Sequence, residues 1–244
     1  MHALRAALAD LVLGVRCAGC EAPGRALCDT CRSEIGHRAA VRIPDPAPSA
    51  LRRPTPVVPM SLTPYAGVVV PVLHAYKEEP RTALAAPLGG LLADAVEAAI
   101  GRCTGEEDPH AAGPVRLVPV PSRRSAVRAR GFDAGAALAR SAAADLRRRG
   151  LPARAAPVLR VGRIADQAGL TAADRARNLA GAYRLRRPLG AGLVVVTDDV
   201  LTTGASAAEA VRVLTEAGSR PVAVVTVAAT RRRLGRAGDG SGSR

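Results

Sequence analysis

Apolar positions along the chain follow two rhythms. Short runs of consecutive apolar, largely β-branched residues recur, and between them lie stretches whose apolar positions stand three and four apart. Runs of the first kind predict strands buried on both faces, and stretches of the second kind predict amphipathic helices that cover them. Their alternation predicts an α/β fold with an open parallel sheet and flanking helices. Strands are predicted over Val115–Val120, Pro157–Val161, Ala182–Leu185, Gly192–Thr197 and Pro221–Ala229, with a short edge strand over Val57–Leu62. Helices are predicted over residues 1 to 16 (Leu4, Leu8, Leu11, Val12, Val15), over Arg81–Ile100 (Leu84, Leu88, Leu91, Leu92, Val96, Ile100), over Ala134–Arg148, and after Ser206, where Gly218 marks the stop. Tyr65–Lys77 reads as a turn and strand leading into a helix. The pattern fails in two places. Prolines crowd residues 38–64 without any sustained period, which suggests a linker, and residues 231–244 form an Arg/Gly/Ser tail expected to be disordered.

The chain organises itself around GLVVVTDDVLTTGAS, residues 192–206. An apolar strand stops on two acids, Asp198 and Asp199, and a loop of small and hydroxyl residues, Thr202, Thr203, Gly204, Ala205 and Ser206, opens the next helix. Such a loop offers backbone N–H groups and a positive helix end to a phosphate. Two adjacent carboxylates would repel that phosphate, but they suit ribose hydroxyls or a Mg²⁺ ion carried with it. An acidic turn capping an ordinary Rossmann-like helix is the plainer alternative. The stretch resembles the phosphoribosyl-pyrophosphate (PRPP) signature of type I phosphoribosyltransferases. That resemblance implies a catalytic, ribose-binding role for Asp198 and Asp199 and a 5-phosphate loop at Thr202–Ser206; Ser206 stands where Thr is common and keeps the hydroxyl.

Charge and cysteines add two further features. The net charge of +14 is carried by arginine, Lys77 being the only lysine, and it favours polyanionic partners. Ser122, Arg123 and Arg124 follow the strand Val115–Val120, and guanidinium forks there suit a pyrophosphate. Lys77, one helical turn from His74, is a further phosphate ligand candidate, and Arg175, Arg177 and Asn178 lie in a polar stretch, Gly162–Leu179, that could close over a diphosphate. Cys17 and Cys20 are separated from Cys28 and Cys31 by seven residues. Two such knuckles suit tetrahedral Zn²⁺, with an iron–sulfur cluster or a degraded site as alternatives. No apolar run suggests membrane insertion, and a cytoplasmic location is expected.

The order of these parts narrows the resemblance. A cysteine ribbon, then LHAYK, VPVPSRRSAVRARGFDAG, DQAGLTAADRARNLAGAYRL and VVVTDDVLTTGAS is similar to the ComF family over roughly residues 15 to 230. Two departures are GFD in place of GFN at 131–133 and EEP after Lys77. The resemblance implies a helix and zinc ribbon at 1–37, a linker at 38–64, a phosphoribosyltransferase-like domain at 65–230, and a base-selecting hood built from residues 60–113. It also implies PRPP with Mg²⁺ as ligand and transfer of a phosphoribosyl group to an acceptor with release of pyrophosphate. The alternative is a non-catalytic PRPP sensor or competence adaptor that contacts single-stranded DNA or a protein of the competence machinery. Against broad base stacking stands the aromatic count of three Tyr and one Phe.

Overall fold

The computed structural model describes residues 14–37, 41–44, 47–51, 57–79, 81–105, 113–162 and 181–230. Its strands are β1 (Val58–Pro64), β2 (Val115–Pro119), β3 (Ala153–Ala155), β4 (Leu159–Val161), β5 (Tyr183–Leu185), β6 (Leu193–Leu201) and β7 (Pro221–Ala229). Its helices are α1 (Asp29–His37), α2 (Val69–Glu78), α3 (Ala85–Thr104), α4 (Arg124–Arg130), α5 (Ala134–Arg148) and α6 (Ala205–Glu216). Five strands form one parallel sheet in the order β1-β7-β6-β2-β3, while β4 and β5 pair antiparallel by themselves. This is the expected α/β architecture.

Alternation of side chains along β6 and β7 divides the interior into two layers. Val195, Val225 and Val227 face α2, α3 and α5; Val194, Val196 and Val224 face α6, the β4–β5 pair and the turn Ser49–Leu51. The central strands are apolar on both faces because both faces are covered. Thr82–Thr104 is long and apolar enough to cross a membrane, contrary to the impression left by the sequence. Its apolar stripe, from Leu88 to Ile100, packs inside the first layer against the sheet and α5.

Several elements differ from expectation. Residues 69–78 are helical, and residues 65–68 form a turn with no strand of their own: Val69, Val72, Leu73 and Tyr76 are buried at helical spacing, and Pro71 sits in the first turn, where its missing N–H costs nothing. Strand β6 does not stop at Thr197 but runs through both acids to Leu201, because β7 continues to pair with it as far as Leu201↔Ala229. β1 belongs to the main sheet, beside β7, so the proline-dense stretch ends inside the sheet. Residues 60–105 supply an edge strand and two core helices. The strand expected at Pro157–Val161 starts at Leu159 and lies outside the main sheet, whereas β3 and α4 carry too few apolar positions to be visible in the pattern. The expected helix positions Leu4, Leu8, Leu11 and Val12, the polar stretch with Thr171, Asp174, Arg175, Arg177 and Asn178, and the tail 231–244 lie outside the described residues.

Candidate functional site

The crevice arises from unequal strand lengths. β2 ends at Pro119, paired with Thr197, and after Val120 N–H donates to Thr197 O (2.9 Å) its chain departs into Pro121–Arg123 and α4. β6 continues for four residues with a partner on one side only, leaving Asp198 and Asp199 beside the gap. A cavity of about 330 Å³ opens there, lined among others by Lys77, Ser122, Arg123, Asp198, Asp199 and Ser206. Residues from four separate stretches therefore converge at the carboxyl end of the sheet, the position where open α/β sheets take ligands.

Alternation turns the two acids to opposite faces of the strand. Asp199, on the Val195 side, is only 3% exposed and meets Lys77 of α2, with Nζ 2.9 Å from Oδ1. Oδ1 also accepts from Val200 N–H (2.8 Å), whereas Oδ2 is buried without a hydrogen-bond partner. Burial works against the Lys77 charge, but Asp199 and then Asp198 outweigh it and raise the ammonium pKa. Asp198 shares the cavity wall with Tyr183 and Ser206 and accepts from Asp199 N–H (2.9 Å). Burial pushes its carboxyl well above the usual carboxylate range, and neighbouring Asp199 adds to the shift against the opposing pull of Lys77. His74, by contrast, is exposed.

The second arm is the turn after β2. Ser122 Oγ donates to Asp133 Oδ1 (3.2 Å), and the same oxygen accepts from Ala136 N–H (3.1 Å), capping α5. Asp133 thus ties the turn to the helix. Arg123 lines the cavity, and so does Arg130 from the far end of α4; Arg124 is exposed and stands outside the lining.

The third arm is the loop entering α6. Gly204 caps the helix at φ +75°, Thr203 Oγ1 accepts from Ala205 N–H (3.4 Å), and Thr202 and Thr203 are exposed. A Cβ on Gly204 would lie 2.7 Å from Pro48 Cβ, so the turn at 48–51 packs directly on this loop. Of the five loop residues, Ser206 alone lines the cavity.

Two tyrosines in the wall, Tyr76 and Tyr183, carry no site signal in the apolar pattern. Tyr76 donates its hydroxyl to Ala134 O (2.7 Å) and stands edge-on to Phe132, with centroids 5.8 Å apart. Its neighbour in the chain is the one clue: among three tyrosines, Tyr76 directly precedes the single lysine.

A separate cluster holds the cysteines. The sulfurs of Cys17, Cys20, Cys28 and Cys31 all lie within 4.8 Å of one another, with Cys20 and Cys28 Sγ at 3.6 Å. A tetrahedral Zn²⁺ with bonds of about 2.3 Å places its sulfurs about 3.8 Å apart, so the donor set fits zinc. Gly19 and Cys28 N–H both donate to Cys17 Sγ and Cys31 N–H donates to Cys28 Sγ, contacts that favour thiolate. Burial opposes ionisation of Cys17, yet the N–H donors of Cys28, Gly19 and Cys20 bring its thiol down to about 6. The ribbon is seated on the main body: Cys17, Leu27, Cys31 and Ile35 join the α2–α3 layer.

No protein-family model matches the chain. Over 199 residues it is 32% identical to the DNA utilization protein YhgH of Salmonella typhi, a span covering 81% of this chain and 82% of that protein. It is 31% identical over 199 residues to the protein of the same name in Salmonella typhimurium, covering 81% of this chain and 82% of that one. The corresponding figure for Escherichia coli O6:H1 is 30% over 201 residues, covering 82% of each chain.

Proposed function

The chain belongs to the family of the DNA utilization protein YhgH, and from that premise we propose that its cavity binds PRPP with Mg²⁺ and transfers the phosphoribosyl group to an acceptor. The single observation that carries this reading is Asp199 Oδ2, a carboxylate oxygen buried without a partner on a residue that lines the cavity. Buried polar atoms are rarely left unpaired, and a ribose hydroxyl would supply the missing donor.

In this reading Asp198 and Asp199 accept from the ribose 2- and 3-hydroxyls. The loop Thr202–Ser206 holds the 5-phosphate by its N–H groups and the helix dipole. Ser122 and Arg123 take the diphosphate, with Arg130 adding a guanidinium from α4 and Arg124 lying at the margin. Lys77 orients Asp199 through their ion pair, and its half-exposed ammonium faces the same space. The bond from the anomeric carbon to the pyrophosphate oxygen breaks, its electron pair leaving with pyrophosphate, and the acceptor's lone pair forms the new bond. Positive charge grows on the sugar beside the carboxylates while negative charge grows beside the arginines, an electrostatic match to the transition state. Mg²⁺, when bound with the diphosphate, would supply further neutralisation of the leaving group.

Calorimetric titration of the full, zinc-loaded chain with PRPP and Mg²⁺ tests the reading. Wild-type binding that vanishes in Asp199→Ala and in Asp198→Asn/Asp199→Asn is expected; unchanged affinity in either variant removes the site. A second reading is favoured by the name that the relatives carry: a non-catalytic module that senses PRPP or serves DNA uptake, contacting single-stranded DNA or another protein. Pyrophosphate release in an acceptor screen separates the two.

A further inference from the structure

A second recess, of about 300 Å³, lies at the other end of β2 and shares no lining residue with the cavity above. Its polar side chains are Arg116 of β2, Arg154 of β3 and Arg187 of the loop after β5, and among the described residues no acid lines it. Arg116 and Arg154 are directly paired in the parallel register, so two guanidiniums stand side by side on adjacent strands. Like charges in that relation destabilise a sheet unless a counter-charge joins them. Among the described residues none does so: Arg154 and Arg187 are exposed and make no ion pair, and Arg116 Nε donates to Ala191 O (3.1 Å). That bond fixes the Arg116 fork while leaving its two terminal nitrogens as donors, the geometry that suits phosphate oxygens. The remaining walls are Ala155, Ala156, Val158, Pro188, Leu189 and Gly190, with no aromatic ring among the described residues.

We propose that the Arg116–Arg154–Arg187 recess is a phosphate site that grips the phosphodiester backbone of single-stranded nucleic acid. Three arginines lining one recess, with no acid beside them among the described residues, attract an anion. The net charge of +14 and the family's connection with DNA point to a polyanion rather than a small one. A duplex presents its phosphates on a convex cylinder, whereas a single strand can bend one phosphate into a recess. With no aromatic platform to stack bases, the grip reads backbone and not sequence. The proposal rests on the DNA-handling side of the family reading and is independent of PRPP binding in the cavity.

The test is fluorescence anisotropy of a labelled oligothymidylate with the full chain across a sodium chloride series. Wild type is expected to bind with a log K that falls linearly with log salt. Arg154→Glu/Arg187→Glu is expected to weaken binding at least ~10-fold and to flatten the slope by roughly 0.7 for each arginine–phosphate pair removed. Both positions are exposed, so an unchanged melting temperature certifies the fold, and PRPP titration of the same variant reports the cavity separately. A variant that binds the oligonucleotide with wild-type affinity and slope overturns the proposal. So does a wild type that does not bind it, or a recess that pyrophosphate saturates while oligonucleotide binding is indifferent to the substitutions.

Discussion

Asp198 shows what a functional site costs at the level of one residue. Its carboxyl is shifted upward in the folded chain, so between the unfolded value of about 4 and the folded one the native state holds more protons than the unfolded state. Stability therefore falls as pH rises through that window. Asp198→Asn does not titrate, and thermal unfolding is expected to show it more stable than wild type near neutral pH, by about 2–4 °C for each kcal/mol recovered, with the difference vanishing at about pH 4. Gly204 is constrained from two sides, by φ +75° and by Pro48 at 2.7 Å from where a Cβ would stand. Gly204→Ala is expected to lower the unfolding free energy by at least ~1 kcal/mol, measured in urea. The acid pair and the glycine are legible in the sequence because charge interrupts an apolar run there. Tyr183 is not, since a tyrosine within a short strand reads as core until the fold places it in the wall beside the acids.

Among the elements, helix length and face are easiest to read. α5 and β7 fall on their expected residues because each repeats its period without interruption. α2 is harder, since β-branched residues favour strands by local propensity and the burial of Val69, Val72 and Tyr76 at helical spacing overrides it. The continuation of β6 through its acids depends on β7, a partner more than twenty positions away in the chain, and no local window contains that information. Helices α3 and α5 approach each other unusually closely at Gly89, where a Cβ would fall 2.4 Å from Ser141 Cβ. Gly89→Ala is expected to destabilise by about 1–3 kcal/mol despite its better helix propensity. Calorimetric melting of Gly89→Ala/Ser141→Gly, which removes the colliding side chain but leaves Ala142 N 3.0 Å from the new Cβ, should recover part of that loss.

For the molecule as a whole, the ribbon matters because it is not a free appendage. Cys17, Leu27, Cys31 and Ile35 pack into the same layer as Val69 and Leu88, Gly19 abuts Val68, and Arg81 donates to Arg16 O (3.0 Å). The cysteine spacing makes the knuckles legible, but nothing in the spacing reveals that they dock on α2. Removing the metal with a chelator is therefore expected to lower the melting temperature of the entire cooperative transition, by calorimetry, and not to melt a small separate unit. Stoichiometric zinc by atomic absorption would accompany the intact state. Loss of metal without any shift of the main transition would show that the ribbon is energetically independent.

The main sheet ends differently on its two sides. β3 closes one edge with three residues and an outward arginine, whereas β1 closes the other with seven residues, Val58 among them 38% exposed. That longer edge is met by Arg42, which exchanges two backbone hydrogen bonds of 2.9 Å with Ser61, and it is interrupted by Pro59. Arg42 and Pro59 thus occupy part of an edge that would otherwise offer unpaired backbone groups to another strand. Losing the Arg42 bridge would leave the Ser61 backbone groups open, and an open strand edge is a template on which further chains can pair.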